Sequence, residues 1–175
     1  LLLSLIIIQV NEYVITGPLQ TSQGFRASEA VPSAGRLPRL GEILPIDLSL
    51  NAGVLIALLL FAFAYVLMNY TRIGYEIEMV GSNPNAAGQG GIDPTKAIIL
   101  TMALGGMVAG IAGFIELSGV RGQLVSGFAP GYGFLAIPIA LLGRNGVTKV
   151  LLASFLFALL FVGSVTASTT LGIST

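Results

Sequence analysis

Residues 54–68 read VLIALLLFAFAYVLM, inside a longer run, 48–71, that carries no charged side chain. A helix rising ~1.5 Å per residue needs about 20 apolar residues to cross a hydrocarbon core of ~30 Å. This run is long enough. Two others are comparable: 97–115 (AIILTMALGGMVAGIAGFI) and 150–166 (VLLASFLFALLFVGSVT), the latter followed by an uncharged tail. Residues 1–8 read as the end of an earlier span. No basic stretch precedes them and no small-residue cleavage site follows, so they do not read as a signal peptide.

Composition agrees. Eight basic and eight acidic side chains in 175 residues make the chain 9% charged, where a soluble domain has about 25%. Hydrophobic residues are 54% and mean hydropathy is +0.90. That is too little charge to cover a soluble core, and too much apolar surface for intrinsic disorder. Zero net charge leaves no basic stripe for nucleic acid. With no Cys and no His, disulfides, thiolate chemistry, zinc sites and Ser-His-Asp catalysis lose their usual residues. The expectation is an all-α, polytopic transmembrane helix bundle, with 1–175 forming one domain of a longer chain.

A fourth apolar stretch, 134–142, is only about half a span long. It follows Pro130-Gly131-Tyr132-Gly133 and contains Pro138, so it reads as broken or re-entrant. Such backbone is tolerated at membrane depth only when protein or a water-filled cavity covers it. The segment around Tyr132 and Phe134 is therefore either a plain turn or part of a conduit. Arg144-Asn145-Gly146 reads as a turn.

Two loops separate the spans. Residues 18–47 are polar and contain Pro18, Pro32, Pro38 and Pro45, giving an extramembrane loop with little regular structure. Residues 70–96 form the second. If every segment spans, Arg72, Lys96, Arg144 and Lys149 share one side, and Arg26, Arg36, Arg39 and Arg121 the other. The count is even, so the positive-inside rule assigns no orientation.

The span 97–115 carries Gly106-x-x-x-Gly110, with Ala109 and Gly113 a step round. Small residues four apart let helices approach closely, within a bundle or between two copies. Glu116 closes this span near the small-residue face. A carboxylate at mid-bilayer costs ~2.5–3.5 kcal/mol on insertion scales. Glu116 is thus either solvated or paired at the interface, with Arg121 as candidate partner, or a pathway or gate residue.

Residues 81–92, GSNPNAAGQGGI, hold the densest local signals. Asn83 can cap a short helix whose first turn accepts Pro84. Ala86 and Ala87 would offer a small flat face, and the glycines would end the helix. The segment is a capped surface helix or a docking element for another protein. No Gly-x-x-x-x-Gly-Lys-Ser/Thr motif is present, so nucleotide is not expected to bind to these residues.

This stretch resembles the cytoplasmic coupling loop of ABC-importer permeases. Their Glu-Ala-Ala-x-x-x-Gly signature stands here as Asn85-Ala86-Ala87-x-x-x-Gly91, within the Gly81, Asn83, Pro84, Ile92 variant. That variant is similar to the branch serving simple sugars, nucleosides and branched-chain amino acids. Asn11-Glu12-Tyr13 through Gly17-Pro18-Leu19, and Ala109 to Gly113 with Glu116 and Gly119, resemble further family stretches. So do Gly131 to Phe134 and Ala140 to Asn145, in the nucleoside-permease version. Glu78 departs from the basic residue common before the loop glycine.

The resemblance implies roughly the C-terminal half of a multi-span permease subunit, its N-terminal half missing, in a bacterial cytoplasmic (inner) membrane, with nucleoside or simple sugar as solute. It implies a second permease subunit, cytoplasmic ABC ATPases that bind the ATP, and an extracytoplasmic substrate-binding protein. Lipid surrounds it, nucleic acid is not a partner, and this chain binds no cofactor. Residues 70–96 would then lie inside and 18–47 outside. Gly81, Asn83, Pro84, Ala86, Ala87, Gly91 and Ile92 become the ATPase-coupling residues, and a charge at Ala87 is expected to uncouple transport without unfolding the chain. An ion-coupled secondary transporter is the rival, since Glu116 is the one acidic residue in the apolar spans. An intramembrane enzyme is disfavoured by the missing His, Cys and acidic pair.

Overall fold

The computed structural model describes residues 2–18, 20, 27–38, 51–127, 131–144 and 146–171. Seven α-helices occur among them: α1 (Leu2–Thr16), α2 (Gly53–Tyr70), α3 (Arg72–Ser82), α4 (Pro84–Gln89), α5 (Pro94–Ile115), α6 (Tyr132–Leu142) and α7 (Val147–Leu171). A π-helical turn, Glu116–Arg121, continues α5. No β-strand occurs among the described residues, only isolated bridges. The fold is the all-α transmembrane bundle expected. Among the described residues three helices have the length and apolar character of membrane spans: Gly53–Tyr70, Pro94–Arg121 and Val147–Thr169. Their large side chains stay outward, with Leu59 69%, Ile99 63% and Phe155 65% exposed. A helix apolar all round suits lipid and neighbouring helices, not water.

The chain divides into two compact units, one of residues 1–60 with 76–130, the other of 61–75 with 131–175. In the first, α1, the start of α2, α4 and α5 are joined by polar contacts at one end of α5 and apolar ones at the other. At 22 residues, α5 is about 33 Å long, so these two ends are a membrane thickness apart.

In the second unit, α2 ends where the Thr71 hydroxyl donates to the Leu67 carbonyl at 2.7 Å and accepts from the Gly74 N–H at 3.3 Å. A Cβ at Gly74 would fall 2.6 Å from the Met68 Cα, so only glycine lets the chain turn this tightly into α3. Residues 70–96, read as a loop, are thus mostly helical. The hairpin of α6 and α7 is equally close. A Cβ at Gly143 would lie 2.8 Å from the Val150 Cα and N, and Arg144 turns the chain with a φ of 47°.

The segment 134–142 is not broken: α6 is one helix running through Pro138. At 11 residues it reaches only about 16 Å, half a hydrocarbon core. Gly131, at φ 79°, starts it. Pro130, Asn145, Pro45, Arg26 and Arg39, named above as turn or loop residues, lie outside the described residues. The small-residue stripe is uncovered among the described residues. A Cβ at Gly106, Gly110 or Gly113 would meet nothing within 4 Å among the described residues.

Candidate functional site

The short helix forms as its sequence dictates. The Asn83 side chain accepts from the N–H groups of Asn85 (3.1 Å) and Ala86 (3.2 Å), and Pro84 occupies the first turn. Two of the otherwise orphaned donors are thereby satisfied. At the far end the Gly90 N–H donates to the Ala86 carbonyl (3.0 Å) and the Ile92 N–H to the Ala87 carbonyl (3.0 Å). Gly91 takes a φ of 81°, a conformation in which a Cβ is strained.

Ala86 and Ala87 do not form one face. Ala86 is exposed. Ala87 is 1% exposed and packs in a cluster with Val80 and Ala97, bordered by Met79 and Ile92. The cluster binds the end of α3, α4 and the first turn of α5 into one elbow. This corrects the expectation that a charge at Ala87 would spare the fold, because it would be placed inside the elbow's core. The outward surface is Gly81, Asn83, Pro84, Asn85, Ala86, Gly88, Gln89 and Gly91, with Ile92 half-buried. No charged residue occurs between Glu78 and Asp93.

Asp93 caps α5. Its carboxylate accepts from the N–H groups of Thr95 (3.0 Å) and Lys96 (3.3 Å), with the Lys96 ammonium 3.4 Å away. The Lys96 N–H, first among these causes, holds the Asp93 carboxyl below its ordinary value. Nothing in the sequence reading singled out this cap, though Asp-Pro-Thr at a span's start is a recognisable signal.

At the other end of α5, Arg121 Nε donates to Glu116 Oε1 at 2.8 Å across the π turn, with each side chain about a quarter exposed. The partner named for Glu116 from sequence is the one found. The Asn51 side chain donates to the Gly119 carbonyl (3.0 Å) and accepts from the Gly53 N–H (2.9 Å), tying the start of α2 to this turn. A Cβ at Gly119 would lie 2.8 Å from Asn51 Nδ2.

The loop 27–38 adds to the same region. The N–H groups of Ser28, Val31 and Leu37 donate to the carbonyls of Leu124 (2.8 Å), Gly122 (2.8 Å) and Ser118 (3.0 Å). The Glu12 carboxylate of α1 accepts from the Ser126 hydroxyl (2.7 Å) and the Gly127 N–H (2.9 Å). Sequence reasoning missed this assembly, because its partners are far apart in the chain and individually ordinary.

Tyr132 and Phe134 stand in the first turn of α6. Tyr132 meets Phe161 of α7 edge-on at 6.2 Å, and Phe134 is exposed. They belong to the second unit and Glu116 to the first.

Three span-length apolar helices among the described residues define a polytopic membrane protein. The chain belongs to the family described as branched-chain amino acid transport system / permease component, which matches residues 1–172. It is a multi-pass protein of the cytoplasmic (inner) membrane. It is 40% identical over 99% of its length to the glucose ABC transporter permease protein TsgB13 of Haloferax volcanii, covering 47% of that protein. It is 30% identical over 94% of its length to the guanosine ABC transporter permease protein NupP of Bacillus subtilis, again covering 47%. The nucleoside ABC transporter permease protein NupB of Lactococcus lactis is 34% identical over 66% of the chain, 32% of that relative. The chain therefore spans about half or less of these curated relatives. No solved structure matches it.

Proposed function

We propose that the chain is part of the membrane-spanning permease of an ATP-driven ABC importer. The exposed, uncharged face of α4 seats on a cytoplasmic ATPase. Residues 70–96 then face the cytoplasm, and the assembly around Glu116 faces the binding protein that delivers solute. A second permease subunit completes the conduit, with Tyr132 and Phe134 as pathway residues. ATP is bound and hydrolysed by the partner, so this chain carries no catalysis and no cofactor of its own. The solute is a sugar or a nucleoside, a reading supported by the names of the relatives.

One observation carries this reading: a six-residue helix, capped at both ends, is held by a buried alanine and presents only small or neutral polar groups. Such a surface costs little to desolvate, which suits protein docking. Its adjoining helix α5 offers a rigid rod to the far side, and each state of the conduit is favoured only by as much as its ligand prefers it. The alternative, ion-coupled transport, needs a carboxylate available to the ion. Glu116 is engaged by Arg121 at 2.8 Å, which favours the ATP-driven reading.

Co-purification from native membranes tests it, with the full-length chain as bait, wild type against Ala86→Asp. Ala86 is exposed in the first turn of α4, where a carboxylate suits the helix dipole. A Walker-motif ATPase should accompany wild type and be lost from the variant at equal membrane level. No ATPase with either form, together with uptake driven by an ion gradient, would replace the proposal with the secondary transporter.

A further inference from the structure

We propose that the π turn is a switch in which two backbone N–H groups, those of Gly122 and Leu37, compete for the Ser118 carbonyl, and that the Glu116–Arg121 ion pair decides the winner. The Gly122 N–H donates to the Leu117 carbonyl at 2.7 Å, the i→i+5 bond of π winding. In α winding that N–H would take the Ser118 carbonyl instead. Here the Ser118 carbonyl accepts from Leu37 of the loop 27–38 at 3.0 Å, and the next carbonyl, Gly119, accepts from the Asn51 side chain. Both are acceptors that a continuing α-helix would consume. Ser118 is 6% exposed, so water does not readily stand in for a lost donor.

The ion pair favours one winding for a geometric reason. At 3.6 residues per turn, residues five apart end about 140° beyond a full revolution, on different faces. The wider turn brings them onto adjacent positions, as the 2.8 Å contact between Glu116 and Arg121 shows. Closing to α winding breaks this pair and passes the Ser118 carbonyl to Gly122. The chain beyond shifts by one residue, which also withdraws the Gly122 and Leu124 carbonyls from Val31 and Ser28. The winding at the end of α5 thus governs whether the loop 27–38 is held. The device stands or falls independently of the importer reading.

Hydrogen exchange on the full-length protein in lipid nanodiscs tests it, following peptides that cover residues 27–38 and 110–122. Glu116→Gln should speed exchange of Ser28, Val31 and Leu37 at least tenfold while the end of α5 stays protected. The charge swap Glu116→Arg with Arg121→Glu should restore protection of the loop. Unchanged loop exchange in Glu116→Gln overturns the switch, as does fraying of α5 alongside the loop, which marks simple unfolding. Should Glu116→Gln not assemble, the swap alone decides: an unprotected loop beside an otherwise native protein overturns the proposal.

Discussion

Ala87 and Ala97 share one buried cluster with Val80, so α4 is held to the first turn of α5 by methyl contacts and not by charge. Neighbouring residues in α4 thereby take opposite parts. Ala87 secures the elbow from within, and Ala86 belongs to the surface that a partner would meet.

Enlarging the two alanines should separate these parts. Ala87→Leu overfills the cluster and should destabilise the elbow by about 1–3 kcal/mol. Ala86→Leu, on the exposed side, should change stability by no more than ~0.5 kcal/mol. Thermal unfolding of the purified full-length protein, with limited proteolysis between α3 and α5, reads the difference.

Acid should loosen the start of α5. The Asp93 carboxyl is held below its ordinary value of 3.8 by the Lys96 N–H, so the unfolded chain binds the proton more readily. The cap's contribution is present above the ordinary value and is lost as pH falls through the lower folded one. Protection of the Thr95 and Lys96 amides, relative to their intrinsic exchange rates at each pH, should fall below about pH 4 in wild type. Asp93→Asn, which still caps, should remove that acid dependence.

The α6–α7 hairpin should be intolerant at one glycine and tolerant three residues later. A methyl at Gly143 would press on the backbone of Val150, whereas one at Gly146 would be in ordinary contact, 3.4 Å from Lys149 Cδ. Gly143→Ala should cost about 1–3 kcal/mol through overpacking. Gly146→Ala should be near neutral by the same thermal assay.

Removing the Glu12 carboxylate should free the turn at Ser126 and Gly127, which it binds from a distant helix. Hydrogen bonds to a charged acceptor are worth on the order of 1.5 kcal/mol or more. Glu12→Ala should therefore expose Gly127 to exchange roughly tenfold faster, with the Glu116–Arg121 turn retained. Equal exchange in both proteins would remove Glu12 from the assembly.

Sequence made the spans legible because 48–71, 97–115 and 150–166 hold no charge, and lipid rewards that pattern directly. The cap at Asn83, Pro84 in the first turn and the ending glycines were legible because each has a local backbone cause. The facing of Ala86 against Ala87 was not, since two identical methyls carry no polar contrast. Nor does ELSGVR announce a π turn. Its carbonyls are claimed by Leu37 and Asn51, and such long-range partners leave no periodic trace. The stripe at Gly106 and Gly110 was legible as a motif, and among the described residues nothing packs on it.

The most direct measurement is cysteine labelling along α4, on a segment that has no cysteine of its own. Single cysteines at Asn85, Ala86, Ala87 and Gln89 would be treated with a membrane-impermeant maleimide from the cytoplasmic side, with and without the ATPase. The account predicts labelling at 85, 86 and 89 that the ATPase suppresses, and no labelling at 87 in either condition. Labelling at 87 as fast as at 86, or no protection by the ATPase at any position, would contradict it.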